Sequence, residues 1–320
     1  MTQAKANPAK RSRKRTNRQT RRANGLPDGI APEDLADYYN KMVLVRTTDE
    51  RIWMMNRQGK VPIAASAQGH EAAQLGSLLA AQKDGQCFLF PYYRDLGLKM
   101  ASGLTPTQVM KAFMGKEGEP YSNARQFPLQ GADLEHNIIQ ISNVVGAGLT
   151  QAVGYALGGR ILGDDTVVLV YFGDGASSQG ETHEAMNFAG IHRLPIVFIC
   201  ENNHYAISVP QHRQMAINDI ANRAEGYGFP GVVVDGMDFL QVYEATREAI
   251  KHAREEVEAV KERDPVATLA AFLVEQGYLT PEQVEEIKAE ARQAINEATD
   301  AAEAAAPPDP ALIYQHVYAP

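Results

Sequence analysis

Two continuous apolar runs, at 167–172 and 196–200, dominate the hydrophobic pattern of this chain. Short unbroken apolar runs bounded by turn residues read as strands buried on both faces. Residues 177–190 between them can form one helix, so the unit is strand, helix, strand, and that connection makes the two strands parallel neighbours. Upstream, Pro32-Glu33-Asp34-Leu35 opens a helical pattern through Leu35, Tyr38, Tyr39, Met42 and Val43 to about Arg57. A small-residue helix at 72–81 leads to a short strand at 87–90, then to helices at 95–101 and 105–113. The stretch 115–140 is rich in Gly, Pro and polar residues without periodicity. It reads as a long surface loop, and such loops in compact domains are functional or disordered. A helix at 146–162 precedes the two strands, whereas Val232-Val233-Val234 predicts a further strand and 240–261 a helix. Thr280-Pro281-Glu282-Gln283 combines a capping Thr, a Pro at the first helical position and a Gln at the third. That helix runs to about Ala306, before Pro307-Pro308-Asp309-Pro310. No repeat is visible. The pattern predicts an α/β fold, a parallel sheet flanked by helices on both faces. Its single domain spans 28–320 with a C-terminal helical extension, behind a basic arm at 1–27.

Charge changes this picture at one end. Nine of the 31 basic residues and none of the 39 acidic ones fall in the first 24 positions, so the remainder holds 22 basic against 39 acidic residues. An arm so poor in apolar residues cannot bury enough surface to fold and reads as a solvated tail. A nucleic-acid role would rest on this arm alone and is disfavoured, and no Leu or aromatic face accompanies the arginines as in a targeting peptide. Hydrophobic residues at 44% and charged residues at 22% fit a globular protein with a sizeable core. No apolar stretch reaches the length of a membrane span. Cys87 and Cys200 lie in strand-like runs without pairing spacing, which implies buried thiols in a reducing compartment and a cytoplasmic location.

Candidate chemistry concentrates where the two apolar runs end. Gly173-Asp174-Gly175 closes the first, and Asn202-Asn203 follows the second. In a parallel sheet both motifs lie at the carboxyl ends of neighbouring strands, where open α/β sheets bind ligands. A carboxylate, a side-chain amide and backbone carbonyls are hard oxygen donors suited to Mg²⁺ that also holds a diphosphate. Glycines allow a tight turn and let backbone N–H groups approach phosphate oxygens. An isolated Gly-Asp-Gly is more often only a turn; the paired asparagines, each motif ending its own strand, are what carry the functional reading. Glu181 and Glu184 could tune such a site, although solvated acids in a first helical turn are the commoner case. His183 and His204 flank the motifs and read as packing or hydrogen-bonding histidines.

The arrangement resembles the thiamine diphosphate motif. Tyr171-Phe172-Gly173-Asp174-Gly175-Ala176 and Cys200-Glu201-Asn202-Asn203-His204-Tyr205-Ala206-Ile207-Ser208 further resemble the α subunit of the first component of 2-oxoacid dehydrogenases. So do Phe90-Pro91-Tyr92-Tyr93-Arg94-Asp95, Gly226-Tyr227-Gly228-Phe229-Pro230-Gly231, and Val234-Asp235-Gly236 with Val242-Tyr243. The resemblance runs from about Tyr38 to the end of the chain. It implies that Asp174 and Asn203 bind Mg²⁺ through their side chains and Tyr205 through its carbonyl. Gly173, Gly175 and Ala176 would present backbone to the diphosphate, and Val145 would meet the aminopyrimidine ring through its backbone. Tyr93 and Arg94 match a Tyr-Arg pair counted as catalytic and cofactor-binding, and a planar, permanently charged guanidinium suits two phosphate oxygens. The family's chemistry is oxidative decarboxylation of a 2-oxoacid with acyl transfer to a lipoyl group on an acyltransferase component. The glutamate that activates the cofactor belongs to a β subunit, in an α₂β₂ assembly. Arg125-Gln126-Phe127-Pro128 resembles the Arg-Gln-Met-Pro of branched-chain members, which favours branched-chain 2-oxoacids over pyruvate, with acetoin third.

The resemblance breaks after Arg254. Relatives place a strand and a loop with a His-Ser motif there, whereas here Glu255-Glu256-Val257-Glu258 follows directly. Either that segment belongs to the protein but not to this chain, or it is deleted. The first reading is preferred, because losing a strand would leave neighbours unpaired and part of the core uncovered. The second favours a structural subunit that binds cofactor without turnover.

Overall fold

The computed structural model describes residues 25–122, 125–140, 142–261 and 265–304. Most of the basic arm therefore lies outside the described residues, as does the proline-rich end. By internal contacts the chain divides into residues 1–258 and 259–320.

In the first unit, α1 (Pro32–Arg57), α2 (Glu71–Asp84), β1 (Cys87–Phe90), α3 (Leu96–Ala101) and α4 (Pro106–Phe113) come in sequence. They are followed by β2 (Gly131–Asp133), β3 (Ile138–Gln140), α5 (Ala147–Leu162), β4 (Val167–Gly173), α6 (Gly180–His192) and β5 (Ile196–Glu201). A two-residue pair, β6 (Tyr205–Ala206) and β7 (Val209–Pro210), precedes single turns of helix at α7 (Gln211–Gln214) and α8 (Ala224–Tyr227), and then the long α9 (Phe239–Lys261). The second unit contains α10 (Pro265–Glu275) and α11 (Pro281–Ala304). At the start of α11, Thr280 Oγ1 accepts from the Gln283 N–H at 3.3 Å while Gln283 Oε1 accepts from the Thr280 N–H at 2.8 Å. This is the reciprocal cap that the sequence predicts.

The sheet has the order β2-β3-β1-β4-β5, with β3, β1, β4 and β5 parallel and β2 antiparallel to β3. Alternate residues of β4 feed two separate cores. Val167, Leu169 and Tyr171 pack with Leu75, Leu78, Tyr243 and Ile250 from α2 and α9. Val168, Val170 and Phe172 face Leu149, Ala152, Val153, Ala185 and Met186 from α5 and α6. Helices thus flank both faces, as expected. A third core joins α1, α3 and α4 through Val45, Ile52, Leu96, Met100 and Val109.

Two expectations are corrected. The stretch 115–140 is not wholly loop: Ile138 is buried and pairs with Leu89 of β1. A three-residue strand is too short for any period to show. Residues 232–234 form no strand, and Val232 and Val233 are 60% and 65% exposed. β-Branched residues favour strands only where a pleated neighbour receives them. Among the described residues no strand pairs with the outer edge of β5.

Candidate active site

The parallel pairing aligns Gly173 of β4 with Glu201 of β5 and Phe90 of β1 with Val170, so three strand-end loops converge. Asp174 is 1% exposed and starts a short 3₁₀ turn (Asp174–Ser178) that leads into α6. Its carbonyl accepts from Ser177 Oγ at 2.7 Å and from Gln214 Nε2 at 2.8 Å. Its Oδ2 is buried and has no hydrogen-bond partner. Burial pushes this carboxyl above its ordinary pKa, against the pull of its own and Gly175's backbone N–H groups and of the Arg94 guanidinium. A buried, unpartnered carboxylate oxygen is costly unless something binds it.

Gly175 is closely approached, since a Cβ there would lie 3.2 Å from the Ala206 Cβ. The turn after β5 folds on its own side chains. Asn202 Oδ1 accepts from the His204 N–H at 2.8 Å, and Asn203 Oδ1 accepts from the Tyr205 N–H at 2.9 Å. These Asx turns account for the left-handed φ of +67° at His204. They leave the Asn203 and Tyr205 carbonyl region on the exposed rim, and Tyr205 itself is 55% exposed.

Arg94 follows β1, its guanidinium 5.5 Å from the Tyr93 ring and donating to the Ser66 carbonyl. Tyr93 is 41% exposed, whereas its neighbour Tyr92 is deeply placed, its ring within 3.7 Å of where a Cβ on Gly173 would stand. Val145 is exposed, and the Gly146 that follows it, at φ +90°, lies against Gln179 at the start of α6. Ala176 is buried in the core between β4, α5 and α6. Glu181 and Glu184 are exposed, consistent with solvated first-turn acids. His183 pairs with the Tyr227 hydroxyl, and His204 Nδ1 is 2.7 Å from Gln211 Oε1, so both act as hydrogen-bonding histidines.

Sequence reasoning missed the polar hub behind these loops. Glu201 Oε2 is 2.7 Å from His70 Nδ1, accepts from Gln74 Nε2 at 3.1 Å and from the Tyr92 hydroxyl at 3.3 Å. Gln74 also donates to Asp95 Oδ1 at 3.1 Å, and Asp95 Oδ2 accepts from the Tyr92 N–H at 2.8 Å. Burial, together with the neighbouring Glu201, holds the Asp95 carboxyl well above its ordinary pKa. The signal lay in position: Asp95 and Glu201 directly adjoin Arg94 and Asn202, so they tie the two functional loops to one core.

This donor set, with one buried carboxylate, exposed amide and carbonyl oxygens and a guanidinium beside them, suits a divalent cation bound together with a diphosphate. Among the described residues no group of three or more His, Cys, Asp or Glu side chains is placed to hold a metal ion. The fold and site thus define an α/β protein that binds at the carboxyl edge of its sheet.

The family described as "Dehydrogenase E1 component" matches residues 39–258 and 253–311, and the chain belongs to it. It is 40% identical to the 2-oxoisovalerate dehydrogenase subunit alpha of Bacillus subtilis, over 91% of this chain and 97% of that one. It is 30% identical to the mitochondrial 2-oxoisovalerate dehydrogenase subunit alpha of Mus musculus, over 90% of this chain and 72% of that one. With the pyruvate dehydrogenase E1 component subunit alpha of Staphylococcus aureus it shares 38% identity over 70% of this chain and 57% of that one. The Bacillus alignment spans 323 positions yet takes in only 91% of 320 residues, so a stretch of that relative has no counterpart here. The two family matches meet at 253–258, within α9, where the sequence pattern also breaks.

Proposed function

We propose that this chain is the α subunit of a first component that oxidatively decarboxylates branched-chain 2-oxoacids, active only with a β subunit. The buried, unpartnered Asp174 oxygen beside Arg94 carries the reading, and the 2-oxoisovalerate dehydrogenase relatives supply the substrate class. The residues fit thiamine diphosphate with Mg²⁺. Asp174, Asn203 and the Tyr205 carbonyl would hold the cation, while Arg94 and the Gly173-Asp174-Gly175-Ala176 backbone would hold the diphosphate. When bound, the cofactor supplies the carbon nucleophile and the electron sink for loss of CO₂. This chain's own part is to anchor the diphosphate, orient the ring through the backbone at Val145 and set the substrate between Tyr93 and the 125–128 turn. The acyl acceptor would be a lipoyl group on an acyltransferase component, and two copies of each subunit would form an α₂β₂ assembly.

The test is decarboxylation by the chain mixed with its β subunit, thiamine diphosphate and Mg²⁺, read with an artificial electron acceptor. Faster turnover of 3-methyl-2-oxobutanoate than of pyruvate is expected. The reverse order would keep the mechanism and discard the substrate class. A second reading, a cofactor-binding subunit without turnover, draws on the break at 253–258 and the uncovered β5 edge. Bound cofactor with no turnover of either acid would select it.

A further inference from the structure

Lys99 takes no part in the site described so far, yet it is 3% exposed in α3, between two functional loops. Its ammonium donates to the carbonyl of Leu129, stands 4.9 Å from the centre of the Tyr121 ring and feels the charges of Asp95 and Asp133. Leu129 is itself buried with a left-handed φ of +62°, and it closes the turn in which the Gln130 N–H reaches the Phe127 carbonyl at 3.2 Å. The Tyr121 ring fills the space a Cβ on Gly131 would need, at 2.4 Å. Glu119 holds the near side of the same segment, accepting from the Tyr121 and Ser122 N–H groups. Arg125, Gln126 and Phe127 project from this frame and are exposed. Lys99 therefore fastens the base of the 125–128 turn to α3, the helix that begins directly after Arg94 and Asp95.

We propose that Lys99 is a positioning residue for the 2-oxoacid: its charge ties the Arg125–Pro128 turn to the diphosphate-binding loop and so sets how tightly substrate is held. The inference rests on the reading of that turn as the substrate-contacting one. Burial pulls the Lys99 pKa down to about 7, opposed by Asp95 and Asp133. The groups around it are Asp95, which is coupled to Glu201, Asp133, which is paired with His136, and Tyr121, whose hydroxyl is pushed up to about 12 by burial. Raising the pH through about 7 discharges Lys99, weakens its hold on the Leu129 carbonyl and the Tyr121 ring and loosens the turn.

The experiment compares wild type, Lys99→Met, Lys99→Arg and Arg125→Ala, each assembled with the β subunit, across pH 6–9. In wild type KM for 3-methyl-2-oxobutanoate rises as pH passes about 7. Lys99→Met raises KM about tenfold and abolishes that rise, while Lys99→Arg keeps KM low and flat. Thiamine diphosphate affinity, measured by calorimetry, stays at the wild-type value in all of them. Arg125→Ala raises KM whatever Lys99 does. If Arg125→Ala leaves KM unchanged, the underlying reading of the turn fails. If Arg125→Ala raises KM but Lys99→Met does not, the tie itself is overturned. Should Lys99→Met fail to assemble, tryptic cleavage of wild type after Arg125, normalised to cleavage after exposed Lys116, decides: it must increase above pH 7, and a constant ratio sinks the proposal.

Discussion

β4 and β5 begin with like apolar sequences, Val-Val-Leu-Val-Tyr and Ile-Val-Phe-Ile-Cys, and the strands pair side by side. Every residue of β4 from Val167 to Phe172 is buried, whereas Ile196 to Cys200 of β5 are all half-buried. The difference is position: β4 has β1 on one side and β5 on the other, but β5 is the sheet's edge. Composition therefore reports that a strand is meant to be buried, not that the chain alone buries it. The two strands also deliver unlike ends. β4 ends in a carboxylate sealed into the core, β5 in asparagines folded on an exposed rim.

The largest expected effect separates those ends. Asp174→Ala in the assembled enzyme should cut kcat/KM on the order of 10³-fold, about 4 kcal/mol, because it removes the buried carboxylate proposed to face the cation. Asn203→Ala should cost roughly tenfold less, since an exposed neutral amide is more readily replaced by water. Steady-state rates at saturating Mg²⁺ check both, and equal losses would erase the distinction. Next comes packing. Leu169→Ala in β4 should destabilise the isolated chain by about 3 kcal/mol and Ile199→Ala in β5 by about half that, measured by urea denaturation. With the β subunit present, a larger cost for Ile199→Ala would show that the edge is covered in the assembly. The smallest effect lies in the other unit, where Thr280→Ala should cost about 1 kcal/mol by loss of the α11 cap, read as earlier helix melting by circular dichroism.

Much of this was legible from residue order. Unbroken apolar runs located β4 and β5, and turn residues placed the candidate motifs at their ends, because a parallel strand pair leaves little freedom for where its loops emerge. The cap at Thr280 depends only on neighbours within one turn, so it could be read locally. What depends on distant partners was hidden. β3 exists because Ile138 meets Leu89, and 232–234 stays irregular for want of a neighbour. Tyr93 stood out by resemblance, while Tyr92 beside it reaches the buried Glu201, a contact across 109 residues. Gln74 bridges Asp95 and Glu201 from a helix in which only small residues stood out.

The bare rim of β5 also bears on how this polypeptide is to be handled. Among the described residues that edge has no strand partner, and unpaired N–H and C=O groups beside half-covered apolar side chains are a template for another strand. Made without its companion subunit, the chain offers that template to its own copies. Losses to precipitate should then grow faster than in proportion to concentration, and low expression temperature or simultaneous synthesis with the companion should rescue yield by occupying the rim before a second copy finds it.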